Sequence, residues 1–141
     1  GLDGQKMSKS YGNTIGLREE PDSVTTKMKR MPTDPARVRL SDPGNPEKCP
    51  VWQFHEVYSD PKTKEWVREG CNSAGIGCLE CKQPVIDAVI AEQDQIIARA
   101  APYDENPDMV RSILIEGAEK AEDDARQTLN EVRQAMGLSY R

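Results

Sequence analysis

Lys6-Met7-Ser8-Lys9-Ser10 sets two ammonium groups and two hydroxyls within five residues, framed by Gly4 on one side and Gly12-Asn13 on the other. Each ammonium can donate charge-assisted hydrogen bonds to phosphate oxygens, and each hydroxyl adds a donor. Flanking glycines let such a loop move over its ligand. This is chemistry for a polyphosphate, above all for a departing pyrophosphate. Taken alone, the five residues are equally compatible with a solvated basic turn.

A second reactive set consists of Cys49, Cys71, Cys78 and Cys81, separated by 21, 6 and 2 residues. The last two form a C-x-x-C chelate, which lets two thiolates reach one centre from a single turn. Gly75 and Gly77 allow the chain to fold tightly beside it, and Cys49 arrives from further upstream. Tetrathiolate ligation suits zinc or an iron–sulfur group, and the spacing does not choose between them. Free thiols and disulfides, with three possible pairings, are the alternatives.

These residues need elements to position them. The stretch from Asp22 to Arg30 reads as a short helix, with Asp22 or Ser23 as N-cap, cations in its last turn, and Pro32 beyond its end. From Thr33 to Pro50, four prolines and a glycine break any period and mark a connector. Val51 to Tyr58 and Thr63 to Glu69 read as short helices, the second closed by Gly70. After the cysteines, Val85, Ile86, Val89, Ile90, Ile96, Ile97 and Ala100 form an apolar stripe broken at Gln93, with Pro102 expected to stop the helix. A second stripe runs from Val110 to Met136 through Ile113, Leu114, Leu129 and Val132, with Gly137 as the expected C-terminal cap. Both stripes are expected to be bundle core. His55 reads as a packed or capping residue rather than a catalyst.

Composition sets the outer limits. The chain has 141 residues, 36% hydrophobic and 30% charged with only 5% aromatic, which favours helices with a modest aliphatic core. No run of about 18 apolar residues and no signal-like pattern occurs, so a membrane span is not expected and the cytoplasm is the expected location. The net charge of −5 is uneven: residues 1–48 carry nine Lys or Arg against seven Asp or Glu, and residues 49–141 carry ten against seventeen. Lys27, Lys29, Arg30, Arg37 and Arg39 form a basic cluster suited to phosphates or to a solvated helix face.

Several separate stretches agree in order with one family. Gly1-Leu2-Asp3-Gly4-Gln5 before Lys6-Met7-Ser8-Lys9-Ser10, then Asn13-Thr14-Ile15, resembles the KMSKS loop of class I aminoacyl-tRNA synthetases. Thr33-Asp34-Pro35-Ala36-Arg37-Val38-Arg39, Asp42-Pro43-Gly44-Asn45-Pro46 with Glu47 to Trp52, His55, and Ala74-Gly75-Ile76-Gly77-Cys78-Leu79-Glu80-Cys81-Lys82 resemble tryptophanyl-tRNA synthetases in particular.

The resemblance implies tryptophan activation by ATP with Mg2+ and transfer to tRNA(Trp), by an enzyme that is a homodimer when complete. It implies Lys6 and Lys9 as catalytic cations, and Lys6, Met7, Ser8, Lys9 and Ser10 as ATP-binding residues. It also implies a mainly α chain: residues 1–40 hold the loop and the end of a Rossmann-like α/β domain, and residues 41–141 form a helical anticodon-binding domain. The chain opens on glycine directly before the loop, so the upstream half, with its His-x-Gly-His element, is expected on a longer polypeptide. The fragment alone is not expected to charge tRNA. A subset of bacterial members resembles the cysteine spacing, with the first gap one residue longer, and binds a 4Fe-4S cluster there; Cys49, Cys71, Cys78 and Cys81 are therefore its expected ligands, with zinc as runner-up. Two further readings are a non-catalytic RNA-binding helical module and a purely structural zinc-stapled domain.

Overall fold

A computed structural model describes residues 1–138. Five helices are present: α1 (Pro21–Arg30), α2 (Pro50–Tyr58), α3 (Pro61–Asn72), α4 (Cys78–Glu105) and α5 (Pro107–Ala135), with single 3-10 turns at Lys9–Tyr11 and Pro46–Lys48. No strand occurs among the described residues. The mainly helical expectation holds. The described residues separate into two compact units, one from Gly1 to Ala98 and one that begins at Arg99.

Proline at the first position starts α1, α2, α3 and α5, where the missing N–H costs nothing. The N-cap of α1 is therefore Glu20, not Asp22 or Ser23. Asp60 caps α3 by accepting from Thr63 N at 2.7 Å. Gly70 does not close α3: the helix continues to Asn72, and Ala74 takes the left-handed turn at φ 57°. Gly70 instead permits close approach, since a Cβ there would lie 2.7 Å from Ile76. Its carbonyl accepts from Gly75 N at 2.7 Å.

Pro102 does not stop α4, which runs on to Glu105. A proline removes only the bond to the carbonyl four residues back, here Ala98, the last residue of the first unit. The helix ends where Asn106 caps α5, its Oδ1 accepting from Met109 N at 3.1 Å.

The core of the first unit joins Val24, Met28 and Met31 to Val51 and to Val85, Ile86 and Val89 of α4. Phe54, Tyr58 and Ile90 pack at its margin. A smaller cluster of Trp52, Val67 and Ile76 lies against Cys49 and Cys81. The first apolar stripe is thus core from Val85 to Val89, with Ile90 at its margin, whereas Ile97 further along it is 38% exposed. The second is not: α5 has no buried residue, and Ile113, Leu114 and Leu129 are 52%, 67% and 46% exposed. Ile86 is 1% exposed, so Ile86→Asp buries an unpaired charge and is expected to destabilise the unit by about 3–5 kcal/mol in urea unfolding. Leu114→Asp, on the exposed stripe, should cost far less by the same measurement.

Candidate functional site

The loop around Lys6 and Lys9 is held open by one buried amide. Asn13 is 4% exposed. Its Nδ2 donates to Asp3 Oδ1 at 2.8 Å and Lys6 O at 3.1 Å, and its Oδ1 accepts from Ser8 N at 2.8 Å. Leu2 N donates to Asn13 O at 2.9 Å. The hydrogen bonds that Asn13 Nδ2 and Gln5 N donate to it hold the Asp3 carboxyl below its ordinary range. Lys9–Tyr11 then makes a 3-10 turn, ended by Gly12 at φ 64°, where glycine is needed. Ser8 Oγ and Ser10 Oγ lie 2.7 Å apart, so the hydroxyls shape the loop.

This scaffold leaves the cations outside. Lys6, Lys9 and Ser10 are exposed, Met7 is partly so, and Ser8 is half-buried. Among the described residues neither ammonium has an ion-pair partner. Two cations on a fixed backbone, unspent on the protein, are free to meet an anion. The sequence marked Asn13 only as part of the frame; its burial, the signal of its organising role, depends on Asp3, which no periodicity links to it.

The loop continues into α1 through Glu19. Its carboxylate accepts from Gly16 N at 2.8 Å and from the Ser23 hydroxyl, and pairs with Lys27 Nζ at 2.6 Å. Burial pushes this carboxyl up, but Lys27, Ser23 and the Gly16 amide outweigh it and bring it down to about 2. Its folded value lies below the ordinary 4.5, so the tie stabilises above about pH 4.5 and is lost as pH falls toward 2. Glu19→Gln should lower stability at pH 7 by about 1–2 kcal/mol. Urea unfolding at pH 7 and pH 3 should then show a smaller acid loss in the variant than in the parent.

The basic cluster is partly consumed inside the fold. Lys27 holds Glu19 and donates to Thr14 O at 3.2 Å. Arg37 Nη2 donates to Leu40 O at 2.9 Å and Ile76 O at 2.7 Å. Lys29, Arg30 and Arg39 remain exposed.

The four cysteines come from three places and line one cavity. Cys49 precedes α2, Cys71 lies in the last turn of α3, and Cys78 and Cys81 occupy the first turn of α4; Thr33, Asp34, Arg37 and Val51 complete the walls. All four are half-buried free thiols. Gly44 passes so close that a Cβ would sit 2.7 Å from Cys71 Sγ. Asp34 fixes the connector by accepting from Ala36 N at 3.0 Å and Asn45 N at 2.7 Å.

Burial, reinforced by Cys49, Cys71 and Cys78, pushes the Cys81 thiol up to about 12. Burial likewise raises Cys71, against the pull of Arg37. A positive group entering between Cys71 and Cys81 would favour their thiolates against this burial. No three His, Cys, Asp or Glu among the described residues converge closely enough to hold a single metal ion.

His55 is fully buried and braces this site. A carbonyl only accepts, so Nε2–H donates to Cys81 O at 3.1 Å and Nδ1 accepts from the Ser59 hydroxyl at 2.7 Å. Burial holds its pKa below the ordinary value. It is a packed residue, as expected. Lys82 is buried rather than presented to solvent, donating to Lys29 O and Met31 O at 2.8 and 2.6 Å. Trp66 is 38% exposed on α3. No helix among the described residues is long and apolar enough to cross a membrane.

Known proteins resemble this chain. The family described as tRNA synthetases class I (W and Y) matches residues 1–92. A tryptophan–tRNA ligase of Ralstonia nicotianae is 60% identical over 140 residues, covering 99% of this chain and 35% of the relative. That of Thermotoga maritima is 44% identical over 141 residues, covering 99% of this chain and 43% of the relative. The crystal structure of tryptophanyl-tRNA synthetase from Campylobacter jejuni, complexed with ADP and tryptophan, superposes with a TM-score of 0.82 at 26% identity, covering 98% of this chain and 43% of that one. The chain therefore spans less than half the length of these relatives. With a family match over most of its residues, the chain belongs to the class I tRNA synthetases of the tryptophan and tyrosine group.

Proposed function

We propose that this chain is the C-terminal portion of a cytoplasmic tryptophan–tRNA ligase, homodimeric when complete, which activates tryptophan with ATP and Mg2+ and transfers it to tRNA(Trp). The observation that carries this reading is the pair of exposed ammoniums of Lys6 and Lys9, without an ion-pair partner among the described residues, on a backbone pinned by Asn13. In the first step the tryptophan carboxylate attacks the α-phosphate of ATP, giving the adenylate and pyrophosphate. Negative charge then accumulates on the leaving pyrophosphate, and cations placed in advance favour that state over the ground state. Lys6 and Lys9 supply them; Met7, Ser8 and Ser10 complete the ATP-binding loop. In the second step the terminal ribose of tRNA takes the tryptophanyl group.

Residues 1–40 are assigned to the end of the catalytic domain and residues 41–141 to the anticodon-binding domain. The exposed cations Lys29, Arg30 and Arg39 suit RNA phosphates near that junction. Cys49, Cys71, Cys78 and Cys81 are assigned to a 4Fe-4S cluster, with zinc as the second choice. The support is the one cavity that all four line, and a Gly44 backbone that passes so close to Cys71 Sγ that no side chain fits there. When bound, the group supplies a structural staple for a loop with few apolar residues. Assay of the complete protein for tryptophan-dependent ATP–pyrophosphate exchange tests the proposal, and exchange without tryptophan dependence would sink it.

A further inference from the structure

α4 carries two polar residues on its otherwise apolar buried face. Lys82 and Gln93 are 2% and 6% exposed. Separated by three helical turns, they share one face of the helix, with Val85, Ile86 and Val89 between them. Both aim their donors at backbone carbonyls of the segment that follows the loop. Lys82 Nζ holds Lys29 O and Met31 O at the C-terminal end of α1. Gln93 Nε2 donates to Gly16 O at 2.6 Å, where the chain leaves the loop. Between these points Val24 and Met28 pack against the same helix. One helix therefore grips the segment from Gly16 to Met31 at both ends and in the middle.

The two ends differ in how firmly they hold. Lys82 makes two short bonds in a buried setting. Gly16 is exposed, and its carbonyl also accepts from Glu19 N at 3.3 Å, so it keeps a partner when Gln93 lets go. The Gly16 carbonyl only accepts, which fixes the Gln93 amide with Nε2 toward it and leaves Oε1 buried without a partner. An unpaired buried acceptor is a standing cost of the engaged state. Beside it lies a cavity of about 190 Å3, bounded by Met7, Ile15, Phe54, Tyr58 and Ile96 as well as Gln93. The space adjoins the signature loop itself.

We infer that Gln93 is a releasable positioning residue for the signature loop: bonded to Gly16 it sets where Lys6 and Lys9 stand, and on release it lets the loop travel. The catalytic consequence rests on the reading of Lys6 and Lys9 given above; the mechanical one does not.

Gln93→Met in the complete protein tests it. Methionine is similar in size, donates nothing and removes the unpaired oxygen, while the Gly16 carbonyl keeps Glu19 N as its partner, so Tm should stay within a few degrees. Amide hydrogen exchange over residues 6–16 should quicken about threefold or more, with Val24 to Met28 as protected as in the parent. The kcat of tryptophan-dependent ATP–pyrophosphate exchange should fall about 3- to 10-fold, the scale of one lost hydrogen bond. That loss should vanish in a Lys9→Ala background, because loop placement has no effect once the ammonium is gone. Gln93→Leu should give the same readings.

Unchanged loop exchange overturns the inference, as does a kcat loss of equal size with and without Lys9. Faster loop exchange in a complete protein whose parent shows no tryptophan-dependent turnover upholds the latch and sinks the functional reading instead.

Discussion

In the complete protein, Lys9→Ala lowers the rate of tryptophan-dependent ATP–pyrophosphate exchange by about two orders of magnitude or more, the scale of losing one preorganised transition-state donor. The fold predicts that this loss falls on chemistry rather than on architecture. Lys9 is exposed at the start of a 3-10 turn, and the bonds that shape the loop run through Asn13, Asp3, Ser8 and the backbone of Lys6, none of them through the Lys9 ammonium. Truncation therefore leaves the scaffold standing, and thermal unfolding of the variant should match the parent. An interaction made mainly with the departing pyrophosphate lowers kcat and kcat/KM together, whereas uniform ATP binding would appear as a raised KM alone. Steady-state kinetics in ATP distinguish the two. Exchange at the parental rate would remove Lys9 from the mechanism.

The residues that could do chemistry were legible in the sequence because chemistry is local in residue type. Lys6, Lys9 and the C-x-x-C pair announce themselves by identity and spacing. The helices were legible where one face is buried: Val85, Ile86 and Val89 recur at helical spacing and form the core. The same rule failed on α5. Its apolar stripe has the helical period, yet Ile113 and Leu114 are exposed, since periodicity reports an amphipathic face and not what covers it. Pro102 misled for a different reason: it deletes one hydrogen bond of a 28-residue helix, and α4 continues to Glu105.

Least legible were the buried polar residues. Asn13, Asp34, Lys82 and Gln93 are each 6% exposed or less, and each earns its burial through hydrogen bonds, several of them to partners far away in sequence. Gln93 appeared in the sequence only as a break in a stripe. Its partner, Gly16, is 77 positions distant. Arg37 gave the opposite error: grouped with a basic cluster, it is largely committed to the carbonyls of Leu40 and Ile76.

The four cysteines yield the other large effect. Protein purified without oxygen is expected to be brown, to absorb broadly in the visible, and to contain iron and sulfide in about equal amounts, as a thiolate-held cluster requires. A zinc site would be colourless. Cys78→Ala or Cys81→Ala removes a ligand from the first turn of α4 and should release the cofactor almost completely, because metal binding and local folding are coupled. The segment from Gly70 to Lys82 should then exchange its amides faster: it keeps the small cluster of Trp52, Val67 and Ile76 but loses the centre that joins Cys49 and Cys71 to α4. tRNA charging should fall more than adenylate formation, since the cysteines are remote from Lys6 and Lys9 in sequence and are assigned to the anticodon-binding part. Adenylate formation should still drop a few-fold, because Lys82 follows Cys81 directly and carries the buried end of the grip on α1. Metal and sulfide analysis decides the matter first: neither iron nor zinc in carefully prepared protein would leave four free thiols, and the loss of charging in the cysteine variants would then need another cause.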